Sequence, residues 1–549
     1  MEEVNQEAIV GQNFDHYGLL AAAAKELDLE EKINKRIGSK DPRRRVQPGT
    51  AVLALLMNGM GFFNRTIYLT PQFFKHLPID TLLGKGLMAE DLTEQTLGRA
   101  LDEIYEYDSS RFFTEIAMEI ATENDLLSSN VRYLDTTSFS LSGLDYEKEG
   151  NGAVEAAYGY SKDYRPNALQ LMMTLICNAK VPLYMQPLSG NASDKAAFPE
   201  AIERFNSFTK ALKEGAEGNK DLWIADSAFY TKDNIQKNSQ IDWISRVPET
   251  IKEAKELIAK PEKEILWEGA EDGYRFFEHS SDYADVKQTW ILVSSKQAKA
   301  REAATLEKKA SAQLEKAKKA VKHLNSQLFG CESDAKKALK KFKKTLPSYL
   351  KLLRTFKKRP VYAVQGRPKK TDKAVIKFVI QARVELNTEK LEKLKSEKGR
   401  FILATNKKGE QAASTLKSYK ELQTVERGFR FLKDPLFMAD QFFLKKTERL
   451  MALMSIMALM LFFNMYLQHK LRTRLVEAKE HVPNQKKKSI QNPTTRWVFS
   501  LFRGIIVFLQ PVNNEVKRLI VNVNSVHKLI LRLLGPLYSK MYGIIEAPS

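Results

Sequence analysis

VRYLDTTSFSL, residues 131–141, is the stretch on which the reading of this chain turns. Its β-branched and aromatic residues predict a strand, with Asp135 closing the apolar run that begins at Val131. A second short apolar run, LWIA at 222–225, ends in the same way on Asp226 and passes into Ser227, Ala228, Phe229 and Tyr230. Taken alone, an Asp at the end of a strand is often only a turn former or a helix cap. Far downstream, SYKELQTVERGFRFLK (residues 418–433) reads as a helix. Tyr419, Leu422, Glu426 and Lys433 recur on it at spacings of three, four and seven, within one face. Val425, Phe429 and Leu432 fall on the neighbouring stripe, so the helix packs by one flank and presents Glu426 and Lys433 from the other. A single Glu on such a helix is usually a solvated surface residue. Two strand Asp residues with a later helical Glu are different, because together they offer the hard oxygen donors that a pair of divalent ions requires.

Working outward, residues 1–128 read as helical, with apolar residues at helical spacing over 17–27, 30–37 and 50–62. KDPRRRVQPG, residues 40–49, breaks that series. Two readings stand for it: a helix-turn-helix-like unit with Arg43, Arg44 and Arg45 on phosphates, or a helical packing domain with a charged loop. Residues 92–107 and 111–126 add two amphipathic helices. Strands follow at 131–141, 169–178 and 182–188, then a helix at 193–213, a strand at 222–226, a helix at 231–237 and a strand at 241–247. Between 248 and 399, strand-like runs at 274–279, 289–294, 361–364 and 375–384 surround a Lys-rich helical pair at 297–329 and 333–358. That pair either tracks a DNA backbone or is a solvated hairpin. Trp267 and Trp290 either stack on an unpaired base or pack internally. A strand at 400–405 leads to the Glu426 helix, and helices are expected around 499–509 and over 514–534, the latter with Leu519, Val523, Val526, Ile530 and Leu533 on one stripe.

Composition narrows the function classes. At 549 residues the chain has room for two to four domains. The formal net charge is +20 and the sequence pI about 9.5, which favours a polyanionic partner, nucleic acid before acidic lipid. Cys177 and Cys331 give neither zinc-site spacing nor a disulfide framework, in keeping with a reducing cytoplasm. The acidic N-terminus lacks a signal-peptide core. LMALMSIMALMLFFNMYL, residues 450–467, approaches the minimum length of a membrane span, yet Asn464 and the Met and Ala content suit a helix buried in a large core. No membrane association is expected.

The order strand Asp, strand Asp, helix Glu resembles the DDE transposases of prokaryotic insertion sequences, whose catalytic core is RNase H-like. One subgroup carries Tyr, two residues, Arg, three residues, Glu, six residues, Lys. Tyr419, Glu426 and Lys433 stand in register with that signature, and Leu422 stands where the subgroup has Arg. Arg427 and Arg430 are the nearby cations, at other helical positions. YSKDYRP (160–166), GNASD (190–194), SRVP (245–248), and DL (91–92) with LGRALD (97–102) also resemble the family, so the likeness runs from about residue 12 to the C-terminus.

The resemblance implies an α/β fold: an RNase H-like mixed sheet core, a β-rich insertion containing the basic helical hairpin, and helical N- and C-terminal regions. The divisions expected are 1–128 for a DNA-binding domain, 129–248 for the first part of the core, 249–398 for the insertion, 399–470 for the second part of the core and 471–549 for the C-terminal region. Three strands, helix, strand, helix, strand is the order of such a sheet, in which the first and fourth strands are neighbours and bring Asp135 and Asp226 together. The implied activity is hydrolysis of the phosphodiester at the element ends and joining of the 3′-hydroxyls to target DNA. Asp135, Asp226 and Glu426 are the implied catalytic residues and the ligands of two Mg²⁺ ions about 4 Å apart, with Mn²⁺ as a substitute. Tyr419, Lys433, Arg427, Arg430, Lys162, Arg165, Arg43, Arg44 and Arg45 are the implied DNA-binding residues. The implied partners are double-stranded DNA, at element ends and target, and a second copy in a synaptic homodimer, in the cytoplasm of a prokaryotic cell and associated with the nucleoid. Two rivals are a catalytically silent DNA-binding protein derived from a transposase and an RNase H-fold nuclease without strand transfer.

Overall fold

The computed structural model describes residues 10–544 apart from 40, 42, 62–65, 128–129, 142–145, 147–151, 160–166, 214–219, 270–272, 363–372, 434–443 and 513–514. The chain divides into two compact units, one of Met1–Ser245, Tyr283–Val286 and Leu416–Ser549, the other of Arg246–Asp282 and Lys287–Thr415.

In the first unit, β1 (Val10–Asn13) precedes α1 (Tyr17–Glu26), α2 (Leu29–Ile37), α3 (Pro48–Gly59), α4 (Thr70–Phe74), α5 (Ile79–Leu82), α6 (Glu94–Glu106) and α7 (Ser109–Glu123). Local chemistry sets these starts. Pro48 opens α3, Thr93 caps α6 by accepting from the Thr96 amide, and Asp108 caps α7 by accepting from the Ser110 and Arg111 amides. The sheet follows: β2 (Val131–Ser140), β3 (Gln170–Cys177), β4 (Pro182–Ser189), α8 (Asp194–Lys213), β5 (Leu222–Ala225), α9 (Lys232–Lys237) and β6 (Asp242–Arg246). Its strands lie in the order β4-β3-β2-β5-β6. β3 is antiparallel to both β2 and β4, while β5 is parallel to β2 and β6 is parallel to β5. This is the RNase H-like arrangement expected from the strand pattern. Every residue of β3 and of β5 is buried, which is why both read as unbroken apolar runs rather than alternations.

The second unit contains α10 (Lys252–Ile258), β7 (Tyr274–Ser281), β8 (Gln288–Ser295), α11 (Lys296–Ser326), β9 (Leu328–Phe329), α12 (Glu332–Thr345), β10 (Leu350–Val361), β11 (Val375–Leu386), α13 (Thr388–Ser396) and β12 (Arg400–Thr405). β8 pairs antiparallel with β7 and β12, and β11 pairs antiparallel with β10 and β9. Ala310, Ala317, Val321 and Leu324 of α11 and Ala335 and Leu339 of α12 pack with Ile380, Ala382 and Val384 of β11 in one core. The helical pair is real, but its second member is shorter than the 333–358 expected from sequence. Pro347 removes an amide donor and disfavours helical backbone at Leu346, so the chain beyond it becomes strand β10. The run expected at 361–364 contributes only Val361, the last residue of β10; residues 363 and 364 lie outside the described residues.

The chain then forms α14 (Ala412–Leu432), α15 (Thr447–Glu477), β13 (Val482–Pro483), β14 (Ser489–Ile490), α16 (Thr495–Leu501), β15 (Ile506–Val512), β16 (Glu515–Val521), α17 (Ser525–Leu534) and α18 (Pro536–Met541). Two sequence expectations fail here. The helix around 499–509 stops at Leu501 and gives way to β15, and the helix over 514–534 is strand β16 followed by α17. Ile506 and Val507 pair with the β-branched Val521 and Ile520, and antiparallel pairing of β15 with β16 on one side and with β1 on the other outweighs the helical stripe. Leu519, expected on that stripe, is 62% exposed. β1 itself carries no sequence signal that stands out from the helices around it.

α15 is the core helix that the Met and Ala content suggested. Among the described residues it is the one helix long and apolar enough to cross a membrane, but 89% of its most apolar window is buried within the protein. It lies against α3, α6, α7, α17 and β4. Arg449 at its start forms a two-pronged ion pair with Asp102 of α6, at 2.7 and 2.8 Å. Towards its other end, Glu26 of α1 accepts from the Tyr466 hydroxyl at 2.9 Å and the Tyr538 hydroxyl of α18 at 2.7 Å, and pairs with Lys470. One half-buried carboxylate therefore joins three helices distant in sequence.

His16 has a measurable consequence. Fully buried, it bonds through Nε2 to the Met60 carbonyl at 3.0 Å and stacks on Phe499. Burial pushes its pKa down to about 4, with the positive charge of Arg503 acting the same way. The unfolded chain therefore takes up this proton first, so the stability contributed by neutral His16 is intact above about pH 6.5 and is lost as the pH falls towards 4. Urea unfolding across that window should lose about 3 kcal/mol from this group, and a His16→Phe protein should lack that component of the pH dependence.

Candidate active site

β2 and β5 run side by side in parallel, with Leu134 opposite Ala225 as their last paired residues. Asp135 and Asp226 come next on each strand, so the two aspartates occupy neighbouring positions at about the 4.8 Å strand spacing. Each is steered by the backbone that follows it. Asp135 Oδ1 accepts from the Thr136 amide at 2.7 Å, and Asp226 Oδ1 accepts from the Ala228 amide at 2.9 Å in an Asx-type turn. The buried Ser245 hydroxyl donates to the Asp226 carbonyl at 2.8 Å and fixes that turn from β6. Cys177 on β3 lies near Asp135; burial first, and the Asp135 charge second, push its thiol well above the usual range, so it is an unreactive packing residue.

The helix holding Glu426 is tied to the same strand. Tyr133, two residues before Asp135 and on the same face of β2, donates its hydroxyl to Glu421 Oε2 of α14 at 2.6 Å. Burial, followed by this bond and the Glu421 charge, raises the Tyr133 pKa above its ordinary value, so the phenol stays protonated as the donor. Along α14, Leu416, Leu422, Phe429 and Leu432 are buried, and Gly428 sits close to Leu461 of α15. A Cβ added at Gly428 would lie 3.1 Å from Leu461 Cδ1, so the glycine allows the two helices their close approach. Glu426, Arg427 and Arg430 are exposed, and Tyr419 and Lys433 are half-buried. The side chain of Val425, expected on the packing stripe, lies outside the described residues. Arg427 is near enough to Arg472 to lower its guanidinium pKa, after burial, so this flank of α14 is locally cationic.

Asp135 and Asp226 fit a divalent ion in donor type, being hard anionic oxygens on rigid neighbouring strands. Among the described residues, however, no three His, Cys, Asp or Glu side chains stand close enough together to hold a metal ion. Glu426 is thus carried on a helix anchored beside Asp135 without being gathered into one cluster with the two aspartates.

The remaining sequence candidates divide. Arg44 is enclosed, in a two-pronged ion pair with Glu103 that includes a 2.9 Å contact, and its Nε donates to the Val46 carbonyl at 3.0 Å. Arg43 bonds Asp41 and is 88% exposed, while Arg45 pairs with Asp91 at 3.1 Å and is 54% exposed. α3, which would follow them in a helix-turn-helix reading, is buried at every residue but Thr50. Such a helix offers no face to a DNA groove, which favours the packing-domain reading. Lys162 and Arg165 lie outside the described residues. Trp290 is buried in β8, and the Trp267 ring is covered by the guanidinium groups of Arg275 and Arg400, so both pack internally.

Comparison with known families gives a match to the transposase DDE domain over residues 128–463, more than half of the chain. The chain belongs to the DDE transposase family. In this transposase, residues 9–118 match a further family described as a domain of unknown function (DUF4277). No curated protein sequence matches. Among solved structures, the transposase is similar to a piggyBac transposase synaptic complex with hairpin DNA, at 9% identity over 97% of this chain and 82% of that chain, with a TM-score of 0.37. It is also similar to a Mos1 transposase paired-end complex with the left transposon end, at 14% identity over 28% of this chain and 51% of that chain, with a TM-score of 0.15. At these scores neither likeness bears on the fold or the chemistry.

The Tyr133–Glu421 bond was invisible in the sequence. Period-two alternation puts Tyr133 on the face of Asp135, but nothing in the pattern names its partner. Leu422 was visible and is now explained. It is 3% exposed, so the position serves the packed flank of α14. Restoring the subgroup residue with Leu422→Arg should therefore lower stability, by more than about 3 kcal/mol, because an unpaired guanidinium would enter the core. A shift of the urea midpoint to lower concentration checks this; an unchanged midpoint means that the arginine reaches solvent.

Proposed function

We propose that this transposase cleaves DNA at the ends of an insertion sequence and joins the freed 3′-hydroxyls to target DNA, with Asp135, Asp226 and Glu426 as its catalytic carboxylates. The observation that carries this reading is the parallel pairing of β2 with β5, which sets the two aspartates side by side within the family's matching region. Asp135 and Asp226 would hold Mg²⁺, with Glu426 as a further oxygen donor from α14 and Mn²⁺ as a substitute. When bound, divalent ions supply Lewis-acid activation of the attacking oxygen and neutralise charge on the departing one. The residues of the chain do the rest. Asp226 is held by its Asx-type turn and by Ser245, so its carboxylate is oriented before any substrate arrives. Tyr419 and Lys433 position phosphates near the scissile bond, and the Lys433 ammonium offsets charge building on the phosphoryl oxygens. Arg427 and Arg430, exposed on the flank that carries Glu426, bind the DNA backbone. The same chemistry applied twice, first with water and then with a 3′-hydroxyl as nucleophile, gives end cleavage and strand transfer from one site. Two copies acting on two ends in the cytoplasm complete the proposal.

The exposure of Glu426 favours one second reading, a DNA-binding protein that does not cut. One experiment separates the two. The protein is incubated with a labelled duplex carrying the element's own end, with Mg²⁺ or with EDTA, alongside Asp226→Asn and Glu426→Gln proteins. Mg²⁺-dependent nicking at the end, reduced at least a thousandfold in both variants while DNA binding persists, is the expected outcome. Cutting by Glu426→Gln at the wild-type rate sinks the assignment of that residue, and tight binding without cutting in any divalent metal establishes the second reading.

A further inference from the structure

We propose that the outward face of the β10–β11 ribbon is a cationic platform for the phosphate backbone of duplex DNA. This rests on the reading of the protein as DNA-acting and adds a surface to it. The twelve-residue register of the ribbon sorts its side chains into two faces. Leu350 with Leu386, Leu352 with Val384 and Phe356 with Ile380 form the face packed on α11 and α12. The intervening pairs form the other face: Lys351 with Glu385, Leu353 with Arg383, Thr355 with Gln381, Lys357 with Val379 and Arg359 with Lys377. That outward face therefore carries Lys351, Lys357, Arg359, Lys377 and Arg383 against the single acid Glu385. Arg383 is neutralised by Glu385 at 3.0 Å. Among the described residues, the other four make no ion pair, and Lys351, Lys357 and Arg359 are exposed.

The Lys-rich helices that the sequence singled out are compensated differently. Lys318 pairs with Glu315, Lys336 with Glu332 and Lys337 with Asp334. Their charge is partly cancelled where it stands, whereas on the outward face of the ribbon only Arg383 is cancelled in this way among the described residues. β10 is an edge strand, and edge lysines commonly serve only to block unwanted pairing. Here, however, Lys377 lies on β11, and five of the seven ribbon cations share the outward face, only Arg354 and Lys358 falling on the packed one. Same-face residues repeat at about 6.8 Å along a strand, so Lys351 to Arg359 spans roughly 27 Å. A two-stranded ribbon also has the width that a DNA major groove, about 12 Å across, admits. The contacts are to phosphates, so the surface binds without regard to base sequence.

The test uses the full-length protein and a fluorescent duplex of about 40 base pairs of arbitrary sequence, with affinity followed by anisotropy across a salt series. A ribbon variant carries Lys351→Gln, Lys357→Gln, Arg359→Gln and Lys377→Gln. A matched control carries Lys308→Gln, Lys309→Gln, Lys319→Gln and Lys322→Gln on exposed positions of α11. A third protein, with Lys351→Arg, Lys357→Arg and Lys377→Arg, keeps the charge and guards against a folding artefact. The expected result is a log–log salt slope shallower by about three to four in the ribbon variant, with at least tenfold weaker binding near 0.1 M salt. The arginine protein should keep the wild-type slope, and the α11 control should change much less. Equal losses in ribbon and control proteins would show a diffuse charge effect and overturn the platform, as would a ribbon variant with the wild-type slope. If the wild-type protein itself binds no duplex, the DNA-acting reading fails and the platform falls with it.

Discussion

α15 brings Leu453, Ile456, Leu459, Leu461, Phe462 and Phe463 into a space bounded by α3, α6, α7, α17 and β4, and leaves almost none of them in contact with water. A helix apolar on every side cannot sit at a water-facing surface, so each neighbour must turn an apolar stripe towards it. Each such side chain removed from water contributes about 1.5–3 kcal/mol, which makes this one helix a large share of the driving force for the first unit. The polar contacts at its two ends, Arg449 with Asp102 and Lys470 with Glu26, then fix its orientation and axial position, which apolar packing alone defines poorly.

That orientation reaches the candidate site through two short links. Gly428 lets α14 lie close to Leu461, and Glu421 bonds Tyr133 on β2. The sheet then does what no side chain could, because parallel pairing makes two chain positions about ninety residues apart into neighbours with a defined direction. Two carboxylates at adjacent strand ends repel each other, and a cation between them relieves that repulsion.

How much of this was legible in the sequence depended on whether a segment's period matched its environment. β2, β3, β4, β5 and β6 were readable because β-branched and apolar runs of strand length alternate with amphipathic helices, and one topology satisfies that order. The C-terminal β15 and β16 were misread because Leu519, Val523, Val526 and Ile530 mimic a helical stripe. The partner strand β1 that decides the matter lies some five hundred residues away. Arg44 was expected on phosphates by its charge, and Leu422 stands where the resembled subgroup carries an arginine, yet both side chains face inward. Charge alone does not say whether an arginine looks outward, and Glu103, which captures Arg44, carries no mark in the local pattern. The neighbouring strand-end positions of Asp135 and Asp226 were legible in the strand order, whereas the anchoring of the Glu426 helix by Tyr133 belongs to three dimensions only.

The interruption of the first unit by the segment from Arg246 to Thr415 also sets a timetable for the growing chain. The five strands β2 to β6 emerge from the ribosome long before α14 and α15, the elements that cover them. At about 5–20 residues per second, the wait is on the order of ten to thirty seconds. Through that interval the apolar surface meant for α15 stays open, while the second unit, whose segments are nearly contiguous, has time to form by itself. A chain cut short by premature termination within the insertion would thus expose a sticky half-core and become a substrate for chaperones and proteases.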